Sequence, residues 1–290
     1  MCGILWCDGL LALKSGVLNS LQSGIAHRGP DLPNESEVLG SNGGLLCASV
    51  LHIQGRIVTR QPLRLENGSG DMLVYNGEIF GGNEEMMAGG RVDGDTKLFA
   101  RLIFDEIADY VASLVADTGV DEAESKSKLL SIVATKLVRN VEGPYAFIYY
   151  SRALDLLIYG RDPFGRRSLL SISNIEEGDQ EEICNLPVAL VSVVADDLRD
   201  ILYRQGLQIS VEELPVGGLF GLHPIVGRTE KGRKMLFASW PPDRVMLGSR
   251  STQMERLPHS KISIDPSRFY IFTSLRLSSN NNTFAYTCNM

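Results

Sequence analysis

The chain has 290 residues, 44% of them apolar, a net charge of −7 and five cysteines, which suits one large domain or two modest ones with a real core. It has no apolar run of about 18 residues and no basic-then-apolar leader, so neither a membrane-spanning helix nor a secretory signal is expected. Ten of the 28 Lys/Arg and four of the 35 Asp/Glu follow Ile225, so an acidic body, which repels nucleic acid, precedes a basic tail.

The cysteines are odd in number, scattered, and form no C-x-x-C pair. That argues against a disulfide framework and a zinc site, and for a reducing, cytoplasmic setting. In chain order, Cys2-Gly3-Ile4-Leu5-Trp6-Cys7 predicts a buried strand. Leu13, Val17, Leu18, Leu21 and Ile25 recur at helical spacing and predict a helix over 11–26, broken by His27-Arg28-Gly29-Pro30-Asp31. Strands are expected over 44–53 and 72–75, the second running into the turn-forming pair Asn76-Gly77. Asp95 or Thr96 can cap the next helical pattern, carried by Leu98, Phe99, Leu102, Ile103, Ile107, Tyr110, Val111 and Leu114. A polar stretch over 117–128 should separate it from a second helix over 129–138. Residues 145–150 and 154–159 predict a hairpin, 160–165 a loop, and 186–194 a further strand. Beyond Val226 the pattern fades, and 278–282 is polar and of low complexity. Strand and helix do not alternate regularly, which excludes a doubly wound parallel sheet and predicts an α+β fold, antiparallel sheets covered by helices.

Cys2 follows the initiator methionine, which aminopeptidases trim before small side chains. Removal would place a thiol and a free α-amine on one residue. Such an amine titrates near pH 7.7–8.0, so part of it is a base at neutral pH, and the thiol carries its own activator. Alone, a cysteine here is more often a small buried residue opening a strand. Asn76-Gly77 alone is most often a hairpin turn, and Asp95 a helix cap.

Four segments stand in order: Cys2-Gly3-Ile4, His27-Arg28-Gly29-Pro30-Asp31, Asn76-Gly77-Glu78-Ile79 and Gly160-Arg161-Asp162-Pro163-Phe164-Gly165. Together, over 2–224, they resemble the glutaminase domain of class II glutamine amidotransferases, which are N-terminal-nucleophile hydrolases, and within these the asparagine synthetase family. The longer run to Arg166-Arg167-Ser168-Leu169 is most similar to the asparagine synthetase domain-containing proteins. The resemblance implies a four-layer α/β/β/α sandwich of two antiparallel sheets. It implies hydrolysis of glutamine to glutamate and ammonia, in the service of asparagine biosynthesis. Cys2 would be the nucleophile, with the Asn76 amide and the Gly77 N–H as oxyanion donors, each such donor being worth about 2.7–4 kcal/mol of barrier. Asp95 would hold the substrate ammonium, with Glu78 beside it. Arg28 and Asp31 would organise the loop around the pocket, and Arg161 and Asp162 would form a structural ion pair beneath it. No metal or cofactor is implied for this domain; ATP and magnesium belong to a separate synthetase domain, the expected acceptor of the ammonia.

One position departs from the family. The arginine that grips the glutamine carboxylate falls on Val50 when the chain is aligned through Gln61-Pro62-Leu63. His52, Arg56 and Arg60 are the candidate replacements. The Ser-Gly-Gly-x-Asp-Ser loop of a synthetase domain is also absent, since Val216-Gly217-Gly218-Leu219 has no serine or aspartate around it and is expected to close the glutaminase domain. The expected organisation is a glutaminase domain over 2–225 and an extension over 226–290, readable as the truncated start of a synthetase domain. The competing reading is a catalytically weak module of the same fold kept for interactions. Cys2, Asn76, Gly77 and Asp95 favour the enzyme; Val50 and the missing half favour the module.

Overall fold

The computed structural model describes residues 1–9, 15–39, 44–65, 68–82, 94–114, 122–174, 186–193, 198–199, 202, 209–222, 235–241 and 271–272. In chain order its first elements are β1 (Gly3–Cys7), α1 (Ser15–Ala26), β2 (Leu32–Leu39), β3 (Gly44–Val50), β4 (Leu63–Arg64), β5 (Met72–Gly77) and β6 (Gly81–Gly82). Then come α2 (Asp95–Leu114), α3 (Glu122–Asn140), β7 (Val141–Glu142), β8 (Tyr145–Ser151), β9 (Leu156–Arg161) and β10 (Leu170–Asn174). The last are β11 (Pro187–Val191), β12 (Ile209–Glu213), β13 (Gly218–Leu222), β14 (Met235–Ser239) and β15 (Ile271–Phe272).

An antiparallel strand with one wet face alternates polar and apolar residues. Here β1, β3, β8 and β9 are buried at every position, so both faces of their sheets are covered. One sheet has six strands in the order β12-β10-β11-β1-β3-β2, the other seven in the order β15-β14-β13-β9-β8-β5-β4. All the paired strands are antiparallel. Alternate residues sort into three cores. Ile4, Trp6, Leu46, Ala48, Val74, Ile148, Leu157 and Tyr159 fill the space between the sheets. Leu5, Cys7 and Cys47 turn the other way, onto Val17, Leu21 and Ile25 of α1. Leu73, Tyr75, Phe147 and Tyr149 pack on Phe99 and Leu102 of α2 and on Val133 and Leu137 of α3. The result is four layers, helix, sheet, sheet, helix pair: the α+β sandwich that the sequence led one to expect.

Several boundaries differ from the sequence reading. Residues 10–14, where the first helix was to begin, lie outside the described residues. The strand expected over 44–53 stops at Val50. Helix α3 begins at Glu122, inside the stretch expected to separate two helices, because Glu, Lys and Ser make a stretch polar without breaking a helix. Asn76-Gly77 is no hairpin turn: both residues are in β5, opposite Ala146 and Tyr145 of β8. Past Val226, β14 pairs with β13 along its whole length, Gly218 facing Ser239 and Leu222 facing Met235. The low-complexity segment at 278–282 lies outside the described residues. Among the described residues no helix is long and apolar enough to cross a membrane.

Candidate active site

Four pieces of backbone converge on an open cleft of about 510 Å³: the start of β1, the end of β5, the first residues of α2 and the loop after β3, with Arg167 reaching in from the β9–β10 loop. Cys2, Asn76, Gly77, Glu78 and Asp95 all line it. Cys2 stands just before the central strand β1, its Sγ donating to the Leu51 carbonyl at 3.6 Å. Behind it Gly3 lets α1 approach, since a Cβ there would lie 2.4 Å from the Ile25 carbonyl oxygen. Cys2, Cys7 and Cys47 are free thiols.

Strand alternation aims the donors. The Glu78 N–H bonds the Pro144 carbonyl at 3.0 Å, on the β8 side. The Tyr75 N–H, of opposite parity, instead donates to Gln61 Oε1 at 2.6 Å. The Gly77 N–H shares the parity of Tyr75 and so points away from β8, towards the cleft. Gly77 itself is required: a Cβ would lie 2.6 Å from Tyr75 Oη and 2.7 Å from the Pro144 oxygen. The buried Asn76 donates one amide hydrogen from Nδ2 to Ser192 Oγ at 3.1 Å, while the Ser192 N–H holds the Ile4 carbonyl at 2.9 Å. The Asn76 amide is thereby tied to the strand that carries Cys2, with a second N–H left for a ligand.

Asp95 opens α2, where a carboxylate is favoured by the helix dipole. It does not cap its own helix; Oδ2 crosses to accept the Ile79 N–H at 2.8 Å. Burial pushes its carboxyl up, opposed by that bond and reinforced by the charge of Glu78. Burial also raises the Cys2 thiol and lowers the terminal ammonium at Met1. Met1, half exposed, stands over the cleft between Arg28 and Arg167.

Asp31, Arg161 and Asp162 each tie loop backbone near the cleft. Asp31 Oδ2 accepts the His52 N–H at 2.7 Å and the Asp31 N–H donates to the Val50 carbonyl, fixing the loop after β3. Arg161 and Asp162 do not pair with each other, because neighbouring residues at a strand end point to opposite sides. Arg161 pairs with Glu213 at 2.9 Å and donates to the carbonyls of Arg167 and Leu214. Asp162, fully buried, accepts from the N–H groups of Tyr145, Phe164 and Arg166 and pairs with Arg166 Nε at 3.1 Å. Val50 lines the cleft as a buried aliphatic group. Of its candidate replacements only His52 lines the cleft; Arg56 is exposed, and Arg60 turns out to Glu35. The arginine that does enter is Arg167, ion-paired with Glu78. It stands in the Gly160 to Leu169 run, which was the signal for it; Ser192 had none.

No family model matches the chain. It is 31% identical over 179 residues to asparagine synthetase domain-containing protein 1 of Homo sapiens, covering 59% of this chain and 22% of that protein. It is 28% identical over 229 residues to the protein of the same name in Gallus gallus, covering 73% and 31%. The chain thus spans between about a fifth and a third of the length of these curated relatives. Among solved structures it resembles a glutamine phosphoribosylpyrophosphate amidotransferase from B. subtilis, with TM-score 0.42 and 19% identity, over 84% of this chain and 50% of that one. It also resembles an allosteric regulatory enzyme of purine biosynthesis, with TM-score 0.44 and 18% identity, over 83% and 49%. The relatives bear out the resemblance carried by the four segments: over more than half of its length the chain is similar to asparagine synthetase domain-containing proteins.

Proposed function

We propose that this chain is the glutaminase part of an asparagine-synthetase-like protein and that, once Met1 is removed, Cys2 hydrolyses glutamine to glutamate and ammonia. The observation that carries the reading is the convergence of Cys2, Asn76, Gly77 and Asp95 on one cleft. Sγ adds to the side-chain carboxamide carbon as the Cys2 α-amine takes the thiol proton. Burial raises the thiol, so deprotonation accompanies attack rather than preceding it. The carbonyl oxygen becomes an oxyanion held by Asn76 Nδ2 and the Gly77 N–H. Collapse expels ammonia with the amine's proton and leaves a thioester. Water, deprotonated by the same amine, then releases glutamate and restores the thiol. The ammonia passes to a synthetase domain of the kind the relatives are named for, in asparagine biosynthesis. The free thiols suit a reducing, cytoplasmic setting.

The test is Met-free protein, verified by intact mass, incubated with glutamine while glutamate and ammonia are measured. Turnover is expected, and Cys2→Ala is expected to abolish it with the fold intact; a Cys2→Ala variant as fast as the parent sinks the mechanism. Only the neutral form of the Cys2 α-amine is a base, so the acidic limb of the pH–rate profile is expected near the ordinary α-amine value of about 8. Activity from protein shown by mass to retain Met1 would remove the amine from the mechanism. Val50 favours a second reading, an inactive module of the same fold. Incubation with 6-diazo-5-oxo-norleucine decides: one adduct on Cys2 supports the glutaminase, and none on folded, Met-free protein supports the module.

A further inference from the structure

We infer that Arg28 and Arg167 together form the carboxylate subsite of this cleft, and that the Met1 side chain covers it until Met1 is removed; this rests on the glutaminase reading. Arg28 stands on the turn leaving α1, its backbone N–H bonded to the Ile25 carbonyl at 3.0 Å. Its guanidinium is half-buried, lies outside the cleft lining while Met1 is in place and, among the described residues, makes no ion pair; its Nη2 reaches only Met1 Sδ, at 3.6 Å. Arg167 gives Nη2 to Glu78 and Nη1 to the same sulfur, at 2.9 Å. The Nε atoms of both arginines are buried without a hydrogen-bond partner. Burial and the neighbouring Arg167 charge push the Arg28 guanidinium down, as expected of a cation short of a counter-charge.

A thioether is a weak acceptor, yet here one sulfur receives two guanidiniums. It marks a place where an acceptor atom sits between two cations. An anionic oxygen in that place takes charge-assisted bonds from both, each about twice as strong as a neutral one. Val50, aliphatic and buried, offers that oxygen nothing. Across the cleft the charges run in order of proximity from Asp95 to Glu78 to Arg167 to Arg28. Such a row of acid then base complements a free α-amino acid, ammonium towards Asp95 and carboxylate towards the arginines. It selects glutamine as the free amino acid and rejects glutamine whose carboxylate is engaged in a peptide bond.

The experiment is calorimetric titration of Met-free Cys2→Ala protein, which binds without turnover, with L-glutamine and with 4-aminobutanamide, the same molecule without its carboxylate. Arg28→Gln is expected to weaken glutamine binding by about 10- to 100-fold, the loss of one charge-assisted bond, and to leave 4-aminobutanamide unchanged. Arg28→Lys, which keeps the charge, is expected to lose only part of the preference for glutamine and carries the test if Arg28→Gln does not fold. The same protein with Met1 retained is expected to bind glutamine no better than Arg28→Gln does. Equal weakening of both ligands, no weakening of either, or no glutamine binding to folded Met-free protein overturns the subsite. If binding discriminates as expected but the Cys2 protein releases no ammonia, the subsite stands and the glutaminase reading falls. If the Cys2 protein turns glutamine over but binding does not discriminate, the glutaminase reading stands and the subsite falls.

Discussion

Asp162 shows how much of the site depends on a residue that never touches the cleft. It is fully buried and gathers three backbone N–H groups and the Arg166 side chain, so it shapes the loop from which Arg167 projects. Replacing it with alanine orphans those donors, and Asp162→Ala is expected to cost about 3–5 kcal/mol, read as a lower midpoint in urea unfolding. Gly77→Ala is expected to cost about 1–3 kcal/mol, because the new methyl meets Tyr75 Oη and the Pro144 carbonyl; the same unfolding series measures it. Cys2, Asn76, Gly77 and Glu78 were legible in the sequence because each sits in a short segment whose order alone was informative, and Asp95 because it opens a clear helical pattern. Arg167 was quoted but not placed, since its ion pair with Glu78 spans 89 positions. Ser192 belongs to no motif, and only the fold brings it to Asn76.

At the scale of elements, α2 is the hinge between core and chemistry. Its Phe99 ring meets Tyr75 at 4.7 Å, Phe147 at 5.0 Å and Tyr145 at 5.1 Å, and its first residue is Asp95. Phe99→Ala is expected to cost about 3–5 kcal/mol and, by loosening the helix, to raise KM for glutamine more than it lowers kcat. Thermal unfolding and steady-state kinetics on the same variant check both. The helix was legible because its apolar residues keep a 3.6-residue period. Strand β2 was not: its Leu-Pro-Asn-Glu-Ser-Glu-Val-Leu sequence mixes acids into an edge strand, and what identifies it is long-range pairing with β3. Its glutamates meet Arg60 and Arg64, and charge of this kind guards a sheet edge against foreign strands. Strand β14 escaped for a related reason, as four apolar residues and a serine are too short a run to assign by period alone.

The molecule as a whole closes over carboxyls as it folds. Burial raises the buried Asp71 and the half-buried Asp95 above the ordinary aspartate value. A carboxyl raised by folding contributes stability that is complete below its unfolded pKa, about 3.9, and is lost as pH rises through the folded value. Asp71 Oδ1 and Oδ2 accept from the Arg152 N–H and the Tyr149 hydroxyl, a pair of bonds that an asparagine reproduces once the tyrosine hydroxyl turns. The Tm of Asp71→Asn, relative to the parent, is therefore expected to climb as pH rises from about 4; melting curves across that range test it. The central place of β1 has a different consequence, in time rather than energy. Leu5 is paired with Cys47 on one side and with Val191 on the other. At about 5–20 residues per second, synthesis of the intervening chain takes roughly ten seconds or more. For that interval the edge of β1 that β11 will cover stays unpaired, a row of N–H and C=O groups open to any other strand.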